Sequence, residues 1–380
     1  MINRIFILIL SILYNVHAVN KIVSLPLSIT SQISSSNFFR NINTPFSFVN
    51  FTDTENATAD HNDLLASQSA SFLSYSSEFI SILGHNPTLT LIEERDPSLP
   101  FAHEGGVYIP ELNQVWFTAN QLPKQNTNVS SVDLTTDQVE LLNIQPPIAT
   151  PNGVNYFEGY AYVCSQGTKT TPAGIYAVNP TTLTSRLVVN SWFGLHLNSP
   201  NDVTFSTKIL GKKFMWFTDP HVAYMQGFAN EPQILSTVFR YDMLTSELRP
   251  VITDIIIPNG IAFNLNETVL YVSDTSPDTN VKIVYAYDIN EYGLPINRRI
   301  FSISSTGIPD GIHIDKNDRV WIAEGDGINV RDPSGNLLGV ILGYNLSGTG
   351  LISNFAIVKN TVIILAQDAL WKLNVTNDIV

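Results

Sequence analysis

The chain predicts an all-β fold, a six-bladed β-propeller, and two observations carry that reading. Short aromatic and β-branched runs recur throughout: "VWFTA", "YAYVCS", "FMWFTD", "VLYVSD", "RVWIAE" and "TVIILAQ", each bounded by Gly, Pro, Asn or Asp. No long stretch carries a 3.6-residue apolar period. The second observation is a repeat. Aligned on a leading polar residue, the chain gives "HEGGVYIPELNQVWFTA", "PNGVNYFEGYAYVCS", "PNDVTFSTKILGKKFMWFTD", "PNGIAFNLNETVLYVSD", "PDGIHIDKNDRVWIAE" and "SNFAIVKNTVIILAQ". The leading residues Glu104, Asn152, Asn201, Asn259, Asp310 and Asn354 follow one another at intervals of 48, 49, 58, 51 and 44 residues. Six units of this length, with up to four strands each, describe propeller blades.

At the N-terminus, "MINR" is a short basic segment, "IFILILSILYNV" an apolar one, and "VHA" ends in a small residue suited to cleavage after Ala18. Residues 1–18 therefore read as a secretory signal peptide, too short for a comfortable membrane span. Residues 19–73 are rich in Ser, Asn and Thr and read as a loosely packed arm. Regular structure is expected from about "EFISILG" (78–84) and the strand-like "TLTLIEE" (88–94), so residues 74–380 form the propeller domain. Sequons at Asn50, Asn56, Asn128, Asn266, Asn345 and Asn374 fit an exported glycoprotein. The single cysteine, Cys164, excludes an intramolecular disulfide and reads as a buried, inert thiol. A formal charge of −13 argues against nucleic acid or an anionic membrane surface as partner.

In a propeller the innermost strand of every blade lines a central channel, so the six leading residues would converge as a ring of carboxylates and amides. Taken singly, an Asn at a strand start is most simply a turn-former or backbone cap. Four in register, two of them acids, instead suit a hard cation bound through oxygen alone, Ca²⁺ first and Mg²⁺ second.

The segments "FAHEGGVYIPELNQVWFTAN", "NSPNDVTF", "IPNGIAFN" with "LYVSDT", and "GIPDGIHIDKNDRVWIAEGDGINVRDPSGNLLG" resemble the SMP-30/gluconolactonase family, and within it the secreted fungal lactonohydrolase-like branch. The likeness runs from about Phe79 to the C-terminus. It implies a six-bladed propeller with one axial Ca²⁺ or another divalent ion (Mg²⁺, Mn²⁺ or Zn²⁺), with Glu104, Asn201, Asn259 and Asp310 as ligands. Asn152 and Asn354 fall to the pocket wall or to structural roles.

The activity implied is opening of a small-molecule lactone or related ester, with the carbonyl polarised by the ion and Asp310 as general base for water. A direct nucleophilic role for Asp310 or Glu104 stays open at this stage. Asp202 and His103, next to ring residues, are expected behind the ligands. Relatives often carry an Arg near Asn201 to grip substrate. This chain has none between Arg186 and Arg240, so His196 is expected to line the pocket instead, while His221, in "FTDPHVAY", follows a strand end on the loop side of its blade and is expected at the channel mouth. The same geometry could serve aryl esters or organophosphates. A propeller stapled by its ion and acting only as a binding protein is the reading from outside enzymology. There is no G-x-S-x-G elbow and no G-x-G-x-x-G fingerprint.

Overall fold

A computed structural model describes residues 21–25, 27, 70–122, 125, 127–276, 282–305, 307–347 and 351–380. The six repeats are six antiparallel blades. The first four are four-stranded meanders whose inner strands are Glu104–Ile109, Pro151–Phe157, Val203–Ser206 and Pro258–Phe263. Blade five starts at Ile312–Ile314 and blade six at Asn354–Val358.

The ring closes across the whole length of the chain. Blade six takes its first three strands from the C-terminus and its outermost from Thr88–Glu94, which pairs antiparallel with Ala369–Asn374. The segment expected as a strand at 88–94 is thus the clasp of the propeller. The N-terminal arm contributes structure at both its described ends. Phe72–Ser74 adds to the edge of blade five against Leu337–Leu342, and Ile22–Ser24 pairs in parallel outside it. Phe72 and Leu73 are buried there, so this part of the arm is packed rather than loose. "EFISILG" lies in a short helix, α1 (Ser77–Leu83), capped by Ser76 Oγ accepting from Phe79 N. Its buried face, Phe79, Ile82 and Leu83, has helical spacing over too short a run to register as a helix in the sequence. Among the described residues, no helix is long and apolar enough to cross a membrane.

The core lies between blades, where the aromatic second strands meet. Trp116, Trp216 and Trp321 hold equivalent places and are fully buried. Each indole N–H finds an acceptor: Gln114 Oε1, Ser206 Oγ and Asp315 Oδ2 respectively. Cys164 is buried in blade two, and burial pushes its thiol well above the usual range, as an inert thiol requires.

Asn and Asp residues serve two separate purposes. In the outer turns Asp133, Asn179 and Asp242 each accept two backbone N–H bonds through Oδ1. At the inner strands they do something else.

Of the sequons, Asn128, Asn266 and Asn345 are exposed. Asn374 is half-buried, accepting from Thr361 Oγ1. Asn50, Asn56 and residues 1–18 lie outside the described residues.

Candidate functional site

The glycine of each "NG" or "DG" pair explains why the inner strands converge so tightly. A Cβ on Gly153 would sit 2.2 Å from Asn201 O, and one on Gly260 2.2 Å from Asp310 O. One on Gly311 would meet the Asn354 side chain at 2.5 Å. Each blade therefore presses its backbone onto the start of a neighbouring blade, and only glycine leaves the space. Hydroxyls on the second strands stitch the same contacts. Thr118 Oγ1 donates to Asn152 O (2.9 Å), Thr218 Oγ1 to Asn259 O (2.7 Å) and Ser273 Oγ to Asp310 O (3.0 Å).

This packing brings Glu104, Asn152, Asn201, Asn259 and Asp310 into the wall of one cavity of about 520 Å³ on the propeller axis. All five are buried. Asn152 Oδ1, Asn201 Oδ1 and Asp310 Oδ1 have no hydrogen-bond partner. Asn259 lies beside the Asp310 carboxylate and partly offsets its upward shift. Burial, then the charge of Asp202, pushes Asp310 up to about 7. Burial and the neighbouring Asp310 charge hold Glu104 well above the usual carboxylate range. Two mutually repelling carboxylates and two further orphaned amide oxygens in one buried wall are costly by themselves. They are a fitting donor set for a hard cation, and their chemistry excludes the nitrogen and sulfur ligands zinc prefers. Among the described residues, no group of three or more His, Cys, Asp or Glu is gathered as a metal site, so any ion here depends on the amides.

Blade six departs from the expected register. Gly311 N donates to Ser353 O as Gly153 N donates to Asn201 O, so Ser353 holds the ring position and Asn354 stands one residue further on. Ser353 lines the cavity. Asn354 sits behind it, donating through Nδ2 to Glu104 Oε2 (3.2 Å) and accepting from Phe355 N (2.9 Å). Its Oδ1 also meets His313 Nε2 at 3.2 Å. Its role is to orient Glu104. Asp202 is the matching residue of blade three. Oδ1 accepts from Val203 N (2.8 Å) and Oδ2 from Ile261 N (3.2 Å), tying blade three to blade four. Burial raises its carboxyl to about 7.

His103, expected behind the ligands, lines the cavity itself. Its Nδ1 lies 2.9 Å from Gln367 Oε1, and Nε2 lies 3.8 Å from Glu104 Oε1. Gln367 Oε1 only accepts, so Nδ1 carries the proton. Burial lowers the imidazole to about 4, leaving it neutral. Gln367, which the sequence did not single out, also donates to Ser353 Oγ (2.6 Å).

His196 and His221 are not among the cavity-lining residues, which corrects the expectation for both. Each ring is engaged locally instead. His196 Nδ1 lies 3.0 Å from Leu197 O, beside a short hairpin, and His221 Nε2 lies 2.8 Å from Ile234 O. From the loop after His221 it is α2 (Val222–Met225) that reaches the axis, through Val222 and Met225. Among the described residues, the only Lys or Arg lining the cavity is Lys282.

A family model described as SMP-30/Gluconolactonase/LRE-like region matches residues 103–343. Lactonohydrolase oryH of Aspergillus oryzae is 25% identical over 333 residues, covering 68% of this chain and 70% of that protein. A gluconolactonase of Zymomonas mobilis is 31% identical over 204 residues, 49% of this chain and 52% of its own length. A solved gluconolactonase from Xanthomonas campestris shares the fold with a TM-score of 0.67 at 24% identity, over 80% of this chain and 94% of that one.

Proposed function

Because the chain belongs to the SMP-30/gluconolactonase/LRE-like family, we propose that it is a secreted, calcium-dependent lactonase. The observation that carries the reading is the set of orphaned, buried oxygens of Asn152, Asn201 and Asp310 beside the Glu104 carboxylate. Matched relatives named lactonohydrolase and gluconolactonase support the substrate class. The ion would be held by Glu104, Asn201, Asn259 and Asp310. Asn152 is placed either to join them or to face substrate.

A bound Ca²⁺ supplies Lewis-acid polarisation of the lactone carbonyl. The chain's residues do the rest. Asn354 donates to Glu104 and fixes its carboxylate. Asp310, beside Asn259 and with a partnerless carboxylate oxygen, would divide its two oxygens between the ion and the attacking water, taking a proton from that water. The water oxygen bonds to the carbonyl carbon and the ring C–O bond breaks. Asp310 then returns the proton to the leaving ring oxygen, and the product is a hydroxy acid. His103, held neutral, cannot compete as a charged acid.

Export rests on the signal-like residues 1–18, and the exposed Asn128, Asn266 and Asn345 are open to glycan attachment. Turnover of a lactone panel with and without chelator, beside Asp310→Asn, tests the reading. Calcium-dependent hydrolysis lost in the variant supports it. Tight calcium binding with no hydrolysis of any lactone overturns it in favour of a non-catalytic propeller.

A further inference from the structure

The axial cavity has two unlike sides. Blades one, two and six present His103, Asn120, Asn152, Gln166, Ser353 and Gln367. Blades three to five and the connection into blade six present Val222, Met225, Ile257, Ile308, Leu351 and Ile352, with Gln226, Thr275, Lys282 and Glu324 among them. Of these, Ile257 and Ile352 are buried toward the axis, while Met225, Ile308 and Leu351 are 54%, 39% and 47% exposed. Apolar side chains, some buried and some exposed, therefore make up much of the lining of the cavity that holds the proposed reaction site. Part of the polar side is already saturated by its own contacts, because Gln367 bonds both His103 and Ser353.

We infer that the substrate is a lactone bearing an apolar, alkyl-class substituent rather than a polyhydroxylated sugar lactone, an inference that rests on the lactonase reading above. A ring seated with its carbonyl at Asn201 and Asp310 must project its substituent somewhere. Against these apolar side chains, sugar hydroxyls would lose water without gaining partners, and each unpaired group is penalised. An alkyl chain there gains with every methylene removed from water, about fourfold in kcat/KM for each one fully buried. The volume of about 520 Å³ leaves room for a chain of several carbons beyond the lactone ring.

The test uses the full secreted protein with saturating calcium and follows acid release. Substrates are unsubstituted γ-butyrolactone, γ-lactones with methyl to hexyl side chains, glucono-1,5-lactone and a γ-lactone ending in a carboxylate. The expected result is kcat/KM rising about threefold to fourfold per methylene over the first carbons, with the longer alkyl lactones ahead of gluconolactone. Met225→Asn and Ile308→Asn, at exposed positions of the cavity lining, should flatten that rise in variants that melt as the unmodified protein does.

A flat series, a preference for gluconolactone, or variants that leave the rise unchanged would overturn the inference while leaving the lactonase reading intact. Preference for the carboxylate-bearing lactone would overturn it too, assigning selection to Lys282. No hydrolysis of any lactone, butyrolactone included, would overturn both.

Discussion

Replacing Gly260 by alanine tests the link between blade packing and the ring. The backbone of Gly260 needs no left-handed angle, so the effect is purely steric. The new Cβ would lie 2.2 Å from Asp310 O, and relief to 3.0 Å requires the two blade starts to part by about 0.8 Å. Asp310 O cannot simply swing away, because Ser273 Oγ holds it at 3.0 Å. Overpacking against backbone costs about 2–3 kcal/mol, less roughly 0.5 kcal/mol regained because alanine restricts the unfolded chain. The net loss of about 2 kcal/mol should appear as a lower urea midpoint with unchanged slope. Displacing Asp310 by most of an ångström should also cut kcat/KM on the order of 100-fold. Urea unfolding followed by tryptophan fluorescence, beside lactone turnover, reads both effects. A Gly260→Ala protein with wild-type midpoint and wild-type turnover would refute the idea that close blade contact positions the ring.

Two other perturbations follow from the same geometry. Thr218→Val keeps the shape but removes the donor to Asn259 O and the acceptor for Asp202 N, so it should cost about 1–3 kcal/mol in urea unfolding; an unchanged midpoint would show that the stitch contributes nothing. His313, tilted against Phe355 and lowered by burial, binds its proton more weakly folded than unfolded. The stability it contributes is present above its ordinary range near pH 6.5 and is lost as pH falls below it. The raised Asp202 and Asp310 carboxyls work the other way between pH 7 and 5, so His313 is read by difference: the stability gap between the unmodified protein and His313→Gln in thermal melts should shrink as pH falls from 7 to 5, and a gap independent of pH would remove His313 from the account.

The propeller was legible because each blade repeats one chemical pattern: a polar residue, usually a glycine, an apolar strand, then an aromatic strand. The "NG" and "DG" pairs carried more than turn chemistry, since their glycines are where adjacent blades touch. Ring closure by Thr88–Glu94 was not legible, because its partner strand lies some 280 residues away and nothing local records the pairing. The register of blade six misled because a serine replaces the amide at the ring, and the eye moves to Asn354 beside it. Gln367 is an ordinary polar residue after a strand and acquires its role only through His103 and Ser353. His196 was expected at the pocket from its place just before Asn201 and His221 from its place after a strand end, and each ring instead meets a local carbonyl.

The central claim is that oxygens converging from separate blades hold one hard cation. Calorimetric titration of calcium into the metal-free protein, and into Asn201→Ala and Asp310→Ala, tests it directly. The account predicts one site per chain in the unmodified protein, at least tenfold weaker in Asn201→Ala and lost in Asp310→Ala, with both variants still folded by circular dichroism. Calcium affinity unchanged in both variants, or no binding to the unmodified chain, would contradict it.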